Sequence, residues 1–325
     1  MRLGIAGCGR IAERGYVPAA LAAEDVTIAG FADPDPARLR HCVELWERGG
    51  GDEPVAAPGL DDLLEAPIDL LVVAVPAAHH LELARQAARA GIPSLVEKPP
   101  APDLAEAETL AALEPTPLLA FNRRFLQGPE LRDSIPPEGW LELELELRFR
   151  RDAWGAHESR DEALLDAGIH LIDLACHLSA AAPIAVRGAE VEPERATFEL
   201  ELSRGRARIA CATDRGHREA IAVRDRSGRQ LANSTWGGLG ARLRGLLGSP
   251  DPLALSLRRQ LEALRDPSPS QAAFVLSPSI PGKGRTPVAS AADGVAAMAV
   301  VEAARRSAAL GGAEVTVTPI AGVPA

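Results

Sequence analysis

The chain reads as an α/β protein: a doubly wound parallel sheet, then an α+β domain built on a large, mostly antiparallel open sheet. Three observations predict this. Residues 1–120 alternate short apolar runs with helical patterns, and β-α alternation builds parallel sheets. The run "DLLVVAVP" (69–76) is apolar throughout, as in a strand covered on both faces. From residue 141 the pattern becomes strict alternation, "LELELELRFR", which is a strand with one wet face.

Each element follows from its own residues. "RLGIAG" (2–7) is a short apolar strand ending in glycine, and residues 10–24 are helix-like with Pro18 as a break or kink. "VTIAGFAD" (26–33) is the second strand, and residues 36–49 form an amphipathic helix ending at glycines. The strand 69–76 leads to a helix over 80–91 stopped by Gly91. "PSLVEKP" (93–99) and "TPLLAFN" (116–122) are two further strands. In 141–150, Leu141, Leu143, Leu145, Leu147 and Phe149 point inward. "ATFELEL", "RARIACAT" and "EAIAVRD" repeat that theme between 196 and 225, giving a polar face of Glu and Arg. Residues 267–287 read as a Pro/Ser/Gly-rich loop, 289–312 as a long helix or helix pair, and "EVTVTP" as a last short strand. The expected division is 1–121 and 122–325.

Composition narrows the class. Of 325 residues, 46% are hydrophobic and 25% charged, ordinary values for a globular protein. The net charge is −10 with no basic stripe, which argues against nucleic acid and anionic membranes as partners. No apolar run reaches membrane-spanning length, and "MRLGIAG" has no charged-then-apolar leader, so the cytoplasm is the expected compartment. Cys8, Cys42, Cys176 and Cys211 are scattered without metal-like spacing and read as reduced thiols. Among 35 basic residues only Lys98 and Lys283 are lysines, so the lysine in "SLVEKPPAP" stands out.

Gly7-x-Gly9-x-x-Ala12, enclosing Arg10 and Ile11, sits between a strand and a helix. Glycines there let backbone N–H groups approach a pyrophosphate, and the helix start adds its positive dipole end. This is the Rossmann arrangement. Asp33 closes the second strand, where a carboxylate bonds ribose hydroxyls and repels a 2′-phosphate, so NAD rather than NADP is expected. The same aspartate also suits a plain turn before Pro34.

In "LLDAGIHLIDLACH", Asp166, His170, Asp173 and His177 are spaced i, i+4, i+7, i+11, a narrow ionisable stripe on an otherwise apolar helix. A buried ion-pair network explains such a stripe, and so does a site. For Asp166 and His170 we favour the site, because an aspartate one turn away makes an imidazole a better proton acceptor. No third ligand accompanies them, so no metal is expected.

Together, the glycine turn, Asp33, Pro76 with His80, "EKP" at 97–99, "NRRF" at 122–125 and "DAGIHLID" resemble the Gfo/Idh/MocA family of sugar and inositol dehydrogenases. The closing helix resembles that family too, so the likeness runs over almost the whole chain. It implies that Lys98, Asp166 and His170 form the catalytic group. It also implies that Glu97 and Pro99 shape the cofactor and Lys98 pocket, and that Pro76 and His80 lie at the cofactor site, His80 near the nicotinamide side in a structural role. Asn122, Arg124, Asp173 and Trp154 would face the substrate.

The implied reaction moves a hydride between a nicotinamide and a secondary alcohol or ketone of a sugar, nucleotide-sugar or cyclitol. His170 would take the hydroxyl proton while Lys98 stabilises charge on the same oxygen. The single tyrosine, Tyr16, lies in the first helix, so a Tyr-x-x-x-Lys catalytic pair is absent. Alternatives are a glycosidase or lyase using transient oxidation, or a non-catalytic NAD-binding sensor. The resemblance also implies pairing through the open sheet into a homodimer or homotetramer; here that face is lined with Glu and Arg, which argues against a tight apolar interface and leaves a polar dimer or an exposed face. The departures are "RDEALLD" before the helix, "AVPAAHH" at 74–80, and the loop at 267–287, and they bear on the substrate.

Overall fold

The computed structural model describes residues 1–126, 128–151, 162–237, 251–265 and 287–318. These form two compact units. A single cut between 121 and 122 does not describe them. Residues 1–126 are joined in the first unit by 251–265 and 287–294, which come from far along the chain.

In the first unit, strands β1 (Arg2–Ala6), β2 (Thr27–Ala32), β3 (Val55–Ala57), β4 (Leu70–Val73), β5 (Ser94–Val96) and β6 (Leu118–Leu119) are parallel neighbours. The sheet order is β13-β6-β5-β4-β1-β2-β3, where β13 (Ala289–Ser290) pairs antiparallel with β6. Sequence patterning missed β3 because its three residues are too few to show a period. β4 is buried at every position, as its unbroken apolar run requires.

The helices of this unit are α1 (Val17–Ala22), α2 (Pro36–Arg48), α3 (Leu60–Leu64), α4 (His80–Arg89), α5 (Leu104–Ala111) and α6 (Arg123–Leu126). α2 starts where the expectation put it: Asp35 caps it by accepting from the amides of Ala37 and Arg38, and Pro36 takes the first turn. The first helix does not break at Pro18. It widens instead into a π-helical turn over Ala12–Tyr16, with the Val17 amide donating to the Ala12 carbonyl. A proline has no N–H and its ring crowds the carbonyl four residues back; a widened turn accommodates both.

The second unit holds α7 (Gly128–Asp133), β7 (Leu141–Arg150), α8 (Ile169–Ser179), β8 (Pro183–Glu192), β9 (Arg195–Leu202), β10 (Gly205–Ala212), β11 (Asp214–Asp225) and β12 (Gln230–Gly237). Its sheet runs β12-β11-β7-β10-β9-β8-β14, with β14 at Val315–Thr316. All pairs are antiparallel except β7 with β10. Leu141, Leu143, Leu145 and Leu147 are buried as expected, whereas Phe149 is only half-buried near the strand's end. The wet face is laced with ion pairs across strands, among them Arg187–Glu199 at 2.9 Å, Arg218–Glu146 at 2.9 Å and Arg224–Glu144 at 3.0 Å.

Two more helices complete the description. α9 (Pro252–Arg265) packs in the first unit, where Leu257 and Leu261 join the core around Tyr16 and Phe125. α10 (Ala291–Ala309) is one helix rather than a pair. No described helix is long and apolar enough to cross a membrane. Trp154, Lys283 and residues 267–286 of the expected loop lie outside the described residues.

Candidate active site

The first unit gathers its chemistry at the exits of β1, β2, β4 and β5. Gly7 sits at φ +99°, and a Cβ there would lie 2.4 Å from the Ala74 carbonyl oxygen, so only glycine fits. Around Gly9 nothing lies within 4 Å of where a Cβ would stand. The turn is therefore closed on its strand side at Gly7 and open at Gly9. Arg10 and Ile11 are half-buried in the first helical turn, and Ala12 is fully buried.

Asp33 is buried at the exit of β2 and holds this turn in place. One oxygen accepts the Cys8 amide at 2.7 Å and the other the Asp35 amide at 2.8 Å. Carboxylate oxygens keep spare acceptor capacity after one bond each, which matches hydroxyl donors and disfavours a phosphate. An open glycine beside a helix start and a buried acceptor thus fit the pyrophosphate and ribose of a dinucleotide. Cys8 and Cys42 pack together beneath the turn, and the Cys42 thiol lies 3.9 Å from the Cys8 carbonyl.

Pro76 follows β4 and begins the short turn leading to α4. His80 is buried. Its Nε2 lies 2.8 Å from the Val75 carbonyl, and its Nδ1 lies 3.0 Å from that of Pro99 and 3.3 Å from that of Pro100. Burial pushes this imidazole's pKa down, against the pull of the three carbonyls. The ring so ties the exit of β4 to the exit of β5, with both nitrogens facing the chain's own backbone.

Lys98 is half-buried directly after β5. Glu97 before it is buried; Tyr16 donates its hydroxyl to Glu97 Oε1 at 2.7 Å, and the Lys98 amide donates to Oε2 at 3.2 Å. Burial raises the Glu97 carboxyl, opposed by the Tyr16 hydrogen bond and the Lys98 charge. Tyr16 is pushed well above its ordinary range by burial and by the carboxylate, so it stays a donor. Sequence reading overlooked the Tyr16–Glu97 pair, whose only signal was a lone tyrosine after the glycine turn. Asn122 and Arg124 are buried after β6; Arg124 pairs with Asp293 at 3.4 Å, and the Asn122 Oδ1 has no hydrogen-bond partner among the described residues.

In the second unit, Asp166 lies in a second π-helical turn, Leu164–Gly168, with the Ile169 amide donating to the Leu164 carbonyl. A π turn holds more residues than an α turn, so the 100° projection does not run unbroken from Asp166 to His170, Asp173 and His177. His170 and Asp173 are buried on α8, and His177 is half-buried in its last turn. Arg151 donates to Asp166 Oδ2 from Nε at 3.1 Å and from Nη2 at 2.7 Å. Gly168 lets the turn press on β10, since a Cβ there would be 3.2 Å from the Cys211 sulfur. Burial lifts that thiol to about 12, which makes it inert. Glu219, fully buried in phase with Ile221 and Val223 on β11, was legible from alternation and went unnoticed. Among the described residues no cluster of His, Cys, Asp or Glu could hold a metal.

Known proteins resemble this chain in both sequence and fold. Residues 1–116 match the Gfo/Idh/MocA profile, described as an oxidoreductase family with an NAD-binding Rossmann fold. YceM of Salmonella typhimurium, named for an oxidoreductase, is 29% identical over 186 residues, covering 55% of this chain and 56% of YceM. A dTDP-3,4-didehydro-2,6-dideoxy-alpha-D-glucose 3-reductase of Actinomadura kijaniata is 33% identical over 196 residues, covering 53% and 54%. The match therefore spans about half the length of these curated relatives. The solved structure of a myo-inositol dehydrogenase from Corynebacterium glutamicum superposes with a TM-score of 0.72 at 20% identity, covering 98% of this chain and 99% of that one. At that identity the likeness concerns the fold.

Proposed function

We propose that this chain, a member of the Gfo/Idh/MocA oxidoreductase family through its residues 1–116, interconverts a secondary alcohol and a ketone on a sugar, nucleotide-sugar or cyclitol. The observation that carries this reading is the Asp33 carboxylate built into the glycine turn, with the Lys98 amide bonded to the buried Glu97 carboxylate in the same unit. The Gly7–Ala12 turn and Asp33 would hold NAD, whose nicotinamide supplies the hydride acceptor when bound. Asp33 favours free ribose hydroxyls, hence NAD over NADP.

The chain's own groups supply the rest. Lys98 donates to the reacting oxygen and balances its developing charge. An arginine there would be bulkier, forked and unable to exchange a proton near neutrality. His170 accepts the hydroxyl proton from its buried place on α8. Asp166, fixed by Arg151, supports the imidazolium that forms. Asp173, Asn122 and Arg124 are candidates for the remaining substrate hydroxyls, and Trp154 for a substrate contact.

A substrate screen tests this: free sugars, cyclitols and nucleotide-linked sugars with NAD or NADP, read by absorbance of the reduced nicotinamide. The expected result is reduction of NAD by at least one polyol class. No reduction with any alcohol, accompanied by release of a leaving group, would replace this reading with glycosidase or lyase chemistry.

A further inference from the structure

We propose that Tyr16 is a positioning residue for Lys98, acting through the buried carboxylate of Glu97. The proposal rests on the role given to Lys98 above. Tyr16 is fully buried at the end of the π-helical turn that directly follows the glycine turn. Its hydroxyl meets Glu97 Oε1 at 2.7 Å, across 81 positions of sequence. The second oxygen of Glu97 receives the Lys98 amide, and the Glu97 amide itself donates to the Val73 carbonyl at 3.0 Å. The carboxylate is therefore gripped on both oxygens and cannot swing away from the lysine that follows it. Its buried charge also feels the Lys98 ammonium, which opposes the upward pull of burial.

What places Tyr16 is equally specific. Gly15 has no side chain, and a Cβ there would come within 2.6 Å of Leu257 on α9. The bare Gly15 lets the π turn lie close to α9, beside the buried tyrosine, which shares a core with Leu257. The link thus runs from the dinucleotide turn through Tyr16 and Glu97 to Lys98. The sequence's lone tyrosine is not a proton acceptor in a Tyr-x-x-x-Lys pair. It is the hydroxyl that fixes the acid beside the lysine.

The test uses the full chain and its two lysines, Lys98 and Lys283. Acetylation by an N-hydroxysuccinimide ester is followed by peptide mass spectrometry, with Lys283 as the internal reference. An ammonium held beside a carboxylate acylates slowly, and removing the carboxylate's grip speeds it. In Tyr16→Phe the Lys98-to-Lys283 rate ratio is expected to rise by about threefold or more, and in Glu97→Gln by more again. In parallel, kcat with the best alcohol should fall about tenfold in Tyr16→Phe, the low end for a charge-assisted hydrogen bond, while KM for NAD stays within about threefold. The double variant should be no slower than Glu97→Gln alone, because both remove one link. A purely structural tyrosine would instead lower the melting temperature and NAD affinity together, with additive losses. An unchanged labelling ratio in both single variants overturns the proposal whatever the turnover. A changed ratio in a protein that oxidises no alcohol leaves this link standing and removes the proposed function instead.

Discussion

The carboxylate of Asp33 accepts the backbone amide of Cys8 at 2.7 Å, so the residue that follows the second strand is part of the glycine turn itself. A single side chain therefore shapes the turn and, in the proposed reading, would accept from a ribose. Asp33→Ala should raise KM for NAD by about tenfold, corresponding to the loss of one or two hydrogen bonds from a charged group. The ratio of kcat/KM for NADP to that for NAD should rise at the same time. Steady-state kinetics with both cofactors checks this, and no relative gain for NADP would remove the basis for assigning NAD.

The two glycines of the turn should respond differently. Gly7→Ala places a methyl against the Ala74 carbonyl at a positive φ, and should destabilise the fold by about 2–4 kcal/mol. Gly9→Ala meets open space, so its melting temperature should match the parent. Its NAD affinity should still drop, since the methyl stands where the pyrophosphate would approach. Thermal melts and cofactor titration separate the two effects.

Arg151 is expected to act through Asp166. Arg151→Gln removes both hydrogen bonds to one carboxylate oxygen and should lower kcat about tenfold with little change in KM for NAD. A drop confined to KM for the sugar would make Arg151 a substrate contact instead.

One pH effect follows from a pair far from the site. Asp69 takes the Arg2 guanidinium and the Arg2 amide, and these hydrogen bonds hold its carboxyl at about 2. A carboxyl lowered in the folded state contributes stability above its unfolded pKa, near ~3.9, and loses it as pH falls through the folded value. Asp69→Asn should therefore flatten the fall in stability between pH ~4 and 2. Both partners are largely exposed, so the effect is small and should fade in added salt. Acid denaturation curves at low and high ionic strength measure it.

Much of this architecture was legible before any coordinates. The unbroken apolar run ending at Val75 and the alternation from Leu141 separate a parallel from an antiparallel sheet by period alone. Gly7, Gly9 and Asp33 are readable from spacing, Lys98 stands out as a rare lysine, and His80 and Glu97 come from the family resemblance; all of them fall at or just after the exits of neighbouring parallel strands. What spacing cannot carry is a change in helical pitch. The π turn at Leu164–Gly168 interrupts the regular projection at Asp166, and nothing in "LLDAG" marks it. Nor does an amphipathic helix say which domain it covers: α9 lies in the first unit, where Leu257 fills the space left by Gly15. The Tyr16–Glu97 bond is a pairing at long sequence distance, visible only once β5 and the π turn are placed.

The central claim is hydride transfer with Lys98 on the reacting oxygen, and it is tested most directly by isotope. A polyol deuterated at the oxidised carbon is incubated with NAD and either the parent protein or Lys98→Met, and the NADH is examined by mass spectrometry. The account predicts deuterated NADH from the parent, and from Lys98→Met no product despite near-unchanged NAD binding. Undeuterated NADH, or deuterium transfer by Lys98→Met at the parent rate, would contradict it.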